Sequence, residues 1–350
     1  MTILVTGGAG FIGSNFIIKW NSEYSEKIIN LDCLNYASNK DNLSSLNSSK
    51  YEFIKGDINN QKLVINILKK HKIRKIINFA AETHVDRSIK NASNFIRTNI
   101  NGTFNMLEAT KYYFYSLNNN RKSAFRFLHV STDEVFGSLN KLAKPSNETS
   151  PMKPNNPYSA SKASSDHLVR AYNKTYNLPT IISNCTNNYG PFQFPEKLIP
   201  LIISNAINEK KLPIYGNGKQ IRDWLYVEDH CNALIDILEK GEIGNTYNIG
   251  GNSEITNLDL VKKICKILDK IIPRNKGKYS QLISFVKDRP GHDQRYSLDI
   301  SKIRKKLKWK PIENLDTGLN RTINWYLKNH DWLKKNTNNN FRKWIKEHYK

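Results

Sequence analysis

The feature that most constrains the fold of this chain is a glycine-rich turn near its start. Gly7, Gly10 and Gly13 stand three residues apart, directly after the β-branched run Ile3–Thr6 and at the opening of the helix-like segment Phe11–Trp20. Gly7 permits a tight turn, Gly10 lets the backbone approach a pyrophosphate, and Gly13 lets helix and strand pack closely. The helix N-terminus adds N–H donors and a positive dipole. The pattern indicates a dinucleotide-binding unit.

Two acidic residues support this interpretation, which matters because a glycine-rich turn alone also occurs as a plain connection. Asp32 ends the second strand-like run, Ile28–Leu31, where a carboxylate hydrogen-bonds the adenosine ribose and repels a 2′-phosphate. Asp57 follows the third run, Tyr51–Ile54, and is placed to meet the adenine end. We therefore expect NAD rather than NADP as the cofactor.

The first half of the chain alternates strand-like and helix-like stretches. Further strand-like runs lie at Lys75–Phe79, Phe125–Val130 and Thr180–Asn184. Further helical patterns lie at Gln61–His71, at Ala92–Ser116 and after Pro157. This alternation indicates parallel strands joined by helical crossovers. We expect an α/β fold with a Rossmann-type doubly wound parallel sheet.

The pattern changes after Tyr189–Pro191, where prolines and glycine pairs separate short elements. We expect a smaller C-terminal substrate-binding domain there, closing over the carboxyl edge of the sheet. The predicted cofactor-binding domain comprises residues 1–190 plus 224–249. The predicted substrate-binding domain comprises residues 191–223 plus 250–350.

The charge of the chain raises the question of a polyanionic partner. There are 54 basic and 31 acidic residues, a net charge of +23, and such an excess is typical of nucleic-acid binding. The basic residues are scattered, however, and the local clusters Lys69–Lys72 and Arg304–Lys306 lie in helix-like, solvent-facing contexts. We therefore expect no nucleic-acid partner.

Other features narrow the class of protein. The four cysteines form no C-x-x-C pair, so neither a metal site nor a disulfide framework is expected. Apolar runs are too short for a membrane span, and the chain enters a strand at once without a leader-like segment. We expect a cytoplasmic protein with no membrane partner.

Tyr158 and Lys162 are four residues apart at the start of a predicted helix, so their side chains share one face. An ammonium beside a phenol favours the phenolate and lowers the pKa of the tyrosine. Tyr158 is therefore a candidate base for a hydroxyl whose carbon gives a hydride to NAD. The spacing is common by chance, but it becomes informative downstream of the glycine turn.

Together these motifs resemble the extended short-chain dehydrogenase/reductase family over almost the whole chain, and within it the nucleotide-sugar 4,6-dehydratases. The stretches that carry the resemblance are Thr6–Gly13, Ala80–Ser88, Ser131–Val135, Pro157–Arg170, Asn187–Pro191, Pro195–Pro200, Gln220–Trp224, Asp288–Asp293 and Lys308–Pro311. The resemblance implies a hydro-lyase that uses NAD and acts on dTDP-glucose. Carbon 4 of the sugar is oxidised, water is eliminated across carbons 5 and 6, and the hydride returns to carbon 6.

The resemblance also assigns site residues. The catalytic residues are Thr132, Asp133, Glu134, Tyr158 and Lys162, with Glu134 as the base at carbon 5 and Asp133 as the acid for the leaving hydroxide. The implied cofactor contacts are Gly7, Gly10, Phe11, Ile12, Gly13, Asp32, Asp57, Ile58, Ala80, Ala81, Thr98, Tyr158, Lys162 and Asn188. The implied substrate contacts are Thr83, Thr132, Asn187, Glu196, Lys197, Leu198, Pro213, Tyr215, Arg222, Asn257, Arg289, His292 and Tyr296.

The resemblance implies a homodimer as well, built through helical faces in Ala92–Ser116 and Tyr158–Tyr176, and a place in dTDP-rhamnose biosynthesis. Three residues depart from the family pattern. Thr83 stands where a serine is expected, and Phe136 and Phe192 stand where tyrosines are usual.

Two alternatives remain at this stage. Another sugar-nucleotide dehydratase, a 4-epimerase or a decarboxylase of the same family shares the glycine turn with Tyr158 and Lys162. An epimerase or decarboxylase has no need of an acid–base pair after Thr132, so Asp133 and Glu134 discriminate against both. A binding protein that senses NAD or contacts nucleic acid is expected to have lost the catalytic residues, which are all present here.

Overall fold

The computed structural model of the chain describes residues 2–46, 49–337, 341, 343 and 345. Its strands are β1 (Thr2–Thr6), β2 (Lys27–Asp32), β3 (Tyr51–Lys55), β4 (Lys75–Asn78), β5 (Arg126–Thr132), β6 (Thr180–Cys185), β7 (Asn187–Tyr189), β8 (Leu212–Tyr215), β9 (Ile221–Tyr226), β10 (Thr246–Ile249), β11 (Glu254–Thr256) and β12 (Ile283–Val286).

Its α-helices are α1 (Phe11–Glu23), α2 (Gln61–Lys70), α3 (Val85–Lys90), α4 (Ser93–Phe95), α5 (Thr103–Tyr115), α6 (Asn119–Ser123), α7 (Pro157–Tyr176), α8 (Leu198–Ile207), α9 (Val227–Lys240), α10 (Asn257–Ile271), α11 (Ser301–Leu307), α12 (Leu315–Lys328) and α13 (His330–Asn336). None of the helices in this described part of the chain combines the length and the apolar character that a membrane-spanning segment needs.

The main sheet is parallel and doubly wound. Within the described residues its seven strands run in the order β10-β6-β5-β4-β1-β2-β3, and each adjacent pair is parallel. The chain winds outward in one direction from β1 through β2 to β3 and in the other from β4 onward. Ligands of such sheets bind at the carboxyl ends of the strands, at the point where the order reverses. The predicted fold class is confirmed.

Helices cover both faces of this sheet because its strands are apolar on both sides. Ile3 and Val5 of β1 point into a core shared with Trp20 of α1 and with α9, while Leu4 points into the opposite core with Met106 of α5. Successive side chains of β1 therefore pack against helices on opposite faces of the sheet. Burial on both faces fixes the carboxyl ends of the strands, which carry the site.

A second region packs beside the sheet around its own apolar core. β9 pairs in parallel with β7 and antiparallel with β11, while β8 pairs in parallel with β12. Helices α8, α10 and α12 surround these strands. The predicted break between residues 223 and 224 falls inside β9, and β10 joins the main sheet. The division into two domains stays a prediction.

The segment Ala92–Ser116, predicted as one helix, is divided. A π-helical turn at Ile96–Gly102 separates α4 from α5. Within it, the buried Asn99 accepts a hydrogen bond from the backbone N–H of Glu82 at 2.8 Å and donates to the Ser161 hydroxyl at 2.8 Å. Such turns recur at functional sites because the extra residue redirects a side chain. Here it ties the loop after β4 to α7.

The last described helix docks back onto the start of the chain. Trp332 of α13 donates from its indole Nε1 to Asn42 Oδ1 at 2.8 Å, and Asn42 donates to the Ser14 hydroxyl of α1 at 3.1 Å. Phe192, one of the three departures from the family pattern, packs edge-on against Trp325 and Trp332. The aromatic cluster thus fixes α13 against α12 and the loop after β7, while the hydrogen bond to Asn42 joins it to the segment between β2 and β3.

Candidate active site

A cleft opens at the carboxyl ends of the central strands, in two adjoining cavities of about 290 and 150 Å³. The larger cavity is lined by every predicted cofactor contact: Gly7, Gly10, Phe11, Ile12, Gly13, Asp32, Asp57, Ile58, Ala80, Ala81, Thr98, Tyr158, Lys162 and Asn188. No group of three or more metal-ligating side chains occurs in the part of the chain that the structure describes.

The glycine turn leaves room where side chains would collide. Gly7 has a φ of +69°, and a Cβ there would lie 2.7 Å from the backbone N of Ala80. A Cβ on Gly13 would lie 2.4 Å from the carbonyl oxygen of Gly7. Helix α1 begins after Gly10 without a side-chain cap and with no acidic residue in its first turn. Its first N–H groups are therefore available to an anion, which fits a diphosphate.

The two predicted adenosine contacts lie along the same cavity. Asp32 accepts hydrogen bonds from the backbone N–H of Ala9 at 2.9 Å and of Leu34 at 2.8 Å, so its carboxylate joins the glycine turn to the next loop. Burial raises the pKa of Asp32, and these bonds oppose the rise. Asp57 is half-exposed and pairs with Arg97 at 3.0 Å. This carboxylate-lined end fits the adenosine of NAD.

The predicted acid–base pair sits where β5 ends. The Thr132 hydroxyl accepts from the backbone N–H of Glu134 at 3.3 Å and so begins the 3₁₀ turn Asp133–Phe136. Thr132 also donates to Asp133 Oδ1 at 3.2 Å. Thr132 and Glu134 line the larger cavity, whereas Asp133 is only 3% exposed. Its Oδ2 has no hydrogen-bond partner among the described residues.

The two carboxyl groups differ in their electrostatic surroundings. Burial, and then the charge of Glu134, raise the pKa of Asp133 well above its ordinary value. Burial also raises the pKa of Glu134, but the nearby charges of Arg289, Arg222 and Lys197 oppose that rise. The surroundings of Asp133 thus favour its protonated form more strongly than those of Glu134, which has cationic neighbours. Such a separation equips one carboxyl group as an acid and the other as a base.

Tyr158 and Lys162 enter the same cavity from the first turns of α7. Burial, and then the charge of Glu134, raise the pKa of the Tyr158 phenol well above its ordinary value. Lys162 directs its Nζ to the carbonyl oxygen of Val130 at 2.8 Å. The prediction of a lowered Tyr158 pKa is therefore wrong for this structure. Burial is the largest cause of that rise, and the Lys162 ammonium is directed to the strand.

The predicted substrate contacts lie around both cavities, with one exception. Thr132 lines the larger cavity, and Thr83, Asn187, Glu196 and Lys197 line both. The smaller cavity is also lined by Leu198, Pro213, Tyr215, Arg222, Asn257, Arg289 and His292. Tyr296 lines neither. It lies beneath the Arg222 guanidinium, 4.4 Å from ring centroid to Cζ, and its hydroxyl is 3.5 Å from Glu134 Oε2.

A buried carboxylate that the sequence analysis did not single out holds two of these contacts. Asp86 Oδ1 lies 3.4 Å from Arg289 Nη1, and Asp86 Oδ2 accepts from the Tyr215 hydroxyl at 3.2 Å. The residue belongs to the stretch Ala80–Ser88, which carried the family resemblance without assigning it a role. The structure makes it the support of the Arg289 guanidinium.

Glu196 is likewise held by residues that the sequence analysis missed. Its Oε1 accepts from the Tyr36 hydroxyl at 2.7 Å, and its Oε2 accepts from Arg87 Nε at 3.1 Å. The Arg87 guanidinium lies over the Tyr36 ring, 3.8 Å from the centroid. The sequence did not indicate a role for Tyr36 because its partner, Glu196, lies far away in the chain. The network joins the loop after β2 to the loop before α8.

Known proteins resemble this chain over most of its length. Residues 4–322 match the family model described as GDP-mannose 4,6 dehydratase. The dTDP-glucose 4,6-dehydratase of Xanthomonas campestris pv. campestris (strain B100) is 52% identical over 334 residues, covering 95% of each chain. The crystal structure of the Bacillus anthracis dTDP-glucose 4,6-dehydratase in complex with NAD is 44% identical, covers 96% of this chain and 99% of its own, and has a TM-score of 0.85.

A dTDP-glucose 4,6-dehydratase from Streptomyces venezuelae, solved with NAD bound, is also similar. It is 40% identical, covers 96% of this chain and 100% of its own, and superposes with a TM-score of 0.87. The similarity therefore spans both the sheet and the smaller region that carries the second cavity.

Proposed function

The chain belongs to the GDP-mannose 4,6-dehydratase family, and from its similarity to dTDP-glucose 4,6-dehydratases we infer that it catalyses the NAD-dependent 4,6-dehydration of dTDP-glucose. The product is dTDP-4-keto-6-deoxy-glucose, so the enzyme is a hydro-lyase without net redox change. The observation that carries the proposal is the adjacent pair Asp133 and Glu134, one buried with a raised pKa and one facing the cavity among cationic groups. Elimination of water needs both an acid and a base.

When bound, NAD accepts a hydride from sugar carbon 4 and returns it to carbon 6. We propose that the backbone N–H groups of Gly10–Gly13 hold its diphosphate and that Asp32 holds the adenosine ribose. The proposed remaining contacts are Gly7, Asp57, Ile58, Ala80, Ala81, Thr98, Tyr158, Lys162 and Asn188. Lining of one cavity by all these residues supports this arrangement.

The proton transfers are proposed for residues at the meeting point of the two cavities. Tyr158 takes the proton from the carbon-4 hydroxyl, and Thr132 hydrogen-bonds the same oxygen. The resulting ketone acidifies carbon 5, from which Glu134 removes the proton. Asp133 protonates the hydroxide that leaves carbon 6, and Glu134 gives its proton back to carbon 5 when the hydride returns to carbon 6. Lys162 supplies positive charge beside Tyr158. Buried Asp133 suits the acid role because its surroundings raise its pKa and so favour the protonated form.

The nucleotide and its diphosphate are proposed to lie in the smaller cavity. Arg222 and Arg289 act there as guanidinium clamps for the diphosphate, because planar paired donors match phosphate oxygens. The other proposed substrate contacts are Thr83, Asn187, Glu196, Lys197, Leu198, Pro213, Tyr215, Asn257 and His292. Tyr296 acts indirectly, through its contacts with Arg222 and Glu134.

Incubation of the protein with NAD and dTDP-glucose tests the function. The ultraviolet absorbance of a 4-keto sugar in alkali should appear, and parallel incubations with GDP-mannose and UDP-glucose should give much slower formation. A second dehydratase substrate is the principal alternative, because the family model is described by GDP-mannose. Faster turnover of GDP-mannose, or release of a 4-epimer without the 4-keto product, contradicts the proposal.

We further propose that the enzyme is a homodimer joined through α5 and the neighbouring turns of α4 and α7. Ile96, Phe104, Tyr112 and Tyr115 expose large apolar surface on this side of the molecule. Phe104→Glu should therefore convert a dimer into monomers in sedimentation velocity. Ile312→Glu, at an exposed isoleucine elsewhere, is the matched control and should leave the dimer intact. A monomeric parent, or a dimeric Phe104→Glu variant, contradicts this prediction.

A cytoplasmic location and a place in dTDP-rhamnose biosynthesis complete the proposal. Cys33, Cys185, Cys231 and Cys265 are all free thiols, as expected for a protein of a reducing compartment. The pathway is proposed because rhamnose is a 6-deoxyhexose, and the proposed product already lacks the carbon-6 hydroxyl.

A further inference from the structure

The helix that carries Tyr158 and Lys162 continues with a third ionisable residue on the same face. Asp166 follows Lys162 by four residues in α7, as Lys162 follows Tyr158, so the three side chains form one column. Their exposed fractions are 8%, 4% and 0% for Tyr158, Lys162 and Asp166. The proposed reaction uses the first two and leaves Asp166 without a role.

Lys162 lies in surroundings that disfavour its charge. Its Nζ donates to the carbonyl oxygen of Val130 at 2.8 Å and lies 3.4 Å from Nε2 of His129. Burial lowers the pKa of Lys162, and the carboxylate of Asp166 is the foremost influence that opposes the fall. A buried ammonium without a counter-charge gives up its proton. The positive charge of Lys162 therefore depends on a nearby negatively charged group.

Asp166 is held in place to provide that counter-charge. Its Oδ2 accepts from the Ser131 hydroxyl at 2.8 Å and from Asn184 Nδ2 at 3.3 Å. Its Oδ1 lies 3.5 Å from His129 Nε2. Burial raises the pKa of Asp166 to about 6, although the Lys162 charge pulls it downward. The carboxyl group is therefore largely ionised at neutral pH in spite of its complete burial.

His129 occupies the space beside the pair without adding charge. Burial, and then the charge of Lys162, hold its pKa well below the ordinary value. Its Nδ1 lies 3.2 Å from the Asn78 amide nitrogen, so Nδ1 accepts and Nε2 carries the hydrogen, 3.1 Å from the Ser165 hydroxyl. With the imidazole neutral, Lys162 and Asp166 remain as opposite charges in one buried pocket.

We propose that Asp166 is a positioning residue that keeps Lys162 charged inside the protein, and that this ammonium allows Tyr158 to give up its proton. The inference rests on the proposed function, in which Tyr158 exchanges a proton with the sugar hydroxyl. The other ionisable groups facing this column are His129 and Cys185 on the strands, Arg170 on the helix, and Asp133 and Glu134 beside Tyr158.

The pH dependence of hydride transfer tests the proposal. Asp166→Asn keeps the size of the side chain and removes its charge, so Lys162 should lose its proton more easily. Tyr158 then ionises less readily, and the limb of the pH–rate profile that reports Tyr158 should move to higher pH. The rate at neutral pH should fall about tenfold for each unit of that shift. Ser165→Ala is the matched control, because it removes the contact with His129 and leaves every charge in place. In Ser165→Ala, the limb of the pH–rate profile that reports Tyr158 should coincide with that of the parent. An unshifted limb in Asp166→Asn, or equal shifts in both variants, overturns the proposal.

A second measurement does not depend on turnover. Urea unfolding of the parent and of Asp166→Asn is compared between about pH 7 and about pH 10, below the ordinary lysine pKa of about 10.4. Without Asp166, the pKa of Lys162 in the folded protein falls further below its value in the unfolded chain. The buried charged lysine then lowers the free energy of unfolding, fully at low pH and less as rising pH removes the charge. The variant should therefore gain stability relative to the parent with rising pH. A difference in midpoint that stays constant overturns the proposal. If the parent forms no 4-keto sugar, the proposed function fails, and the urea comparison still reports the charge of Lys162.

Discussion

Replacing Glu134 by Gln should stop the reaction after carbon 4 has been oxidised. Gln keeps the size of the Glu134 side chain and removes its negative charge. Tyr158 and Thr132 are untouched, so proton removal from the carbon-4 hydroxyl continues. Because the Glu134 charge is the foremost influence after burial in raising the pKa of Tyr158, its loss should also move the oxidation limb to lower pH. Oxidation is thus retained and becomes easier at neutral pH.

The elimination, by contrast, should fall by about 10²–10⁴-fold, the usual contribution of a positioned base. Asp133→Asn should reduce the elimination by a similar factor, because an amide cannot donate the proton that the leaving hydroxide needs. In that variant Glu134 remains, so the carbon-5 proton continues to exchange if its removal and water loss are separate steps. Tyr158→Phe is the control that should block oxidation itself.

Three readouts separate these outcomes: accumulation of NADH by absorbance, incorporation of deuterium at carbon 5 from heavy water, and formation of the 4-keto-6-deoxy product. Glu134→Gln should accumulate NADH without deuterium incorporation. Incorporation at the parent rate in Glu134→Gln, together with none in Asp133→Asn, refutes the reasoning and exchanges the two roles. If proton removal and water loss are concerted, both variants lose incorporation and differ in rate alone.

Three further predictions concern binding and surface charge. Asp32→Asn should lose much of the preference for NAD over NADP in calorimetric titrations of cofactor-free protein, and equal affinity of the parent for both cofactors contradicts the ribose contact. Asp86→Asn should raise KM for the sugar nucleotide about tenfold with a smaller change in kcat, because Arg289 loses its support, and an unchanged KM argues against that role. Single Lys→Glu changes within Lys69–Lys72 or Arg304–Lys306 should leave turnover nearly unchanged. A DNA duplex should bind weakly, and its affinity should fall steeply as the salt concentration rises. Sequence-selective binding at physiological salt contradicts the expectation that the basic surface has no nucleic-acid function.

The cofactor-binding half of the fold was predictable because its signals are local. The run Tyr51–Ile54 became β3 with one added residue, and Phe125–Val130 became β5 with its ends shifted by one and two residues. Parallel strands buried on both faces read as short apolar runs, whatever lies around them. The requirement for Gly13 is equally local, because a Cβ there would collide with Gly7 and Gly8, whereas the close approach at Gly7 involves Ala80, far along the chain.

What the sequence analysis missed depends on contacts between distant segments. The pairing of β8 with β12 brings together short strands that carry little periodicity of their own. Tyr36 meets Glu196 only after the loop following β2 folds over the cleft. The raised pKa of Tyr158 follows from burial, which a four-residue spacing does not report. Spacing identifies which side chains share a helix face and says little about the solvent they lose.

The docking of α13 on Asn42 joins the last described helix to the unit that receives NAD. Asn42 contacts Ser14 of α1, and its loop continues directly from Asp32 along the cofactor cavity. Any favourable coupling between cofactor occupancy and docking of α13 is reciprocal, so whatever steadies one steadies the other. A continuous set of contacts therefore runs from Trp332, near the end of the described chain, to the helix whose first turn borders the cofactor cavity.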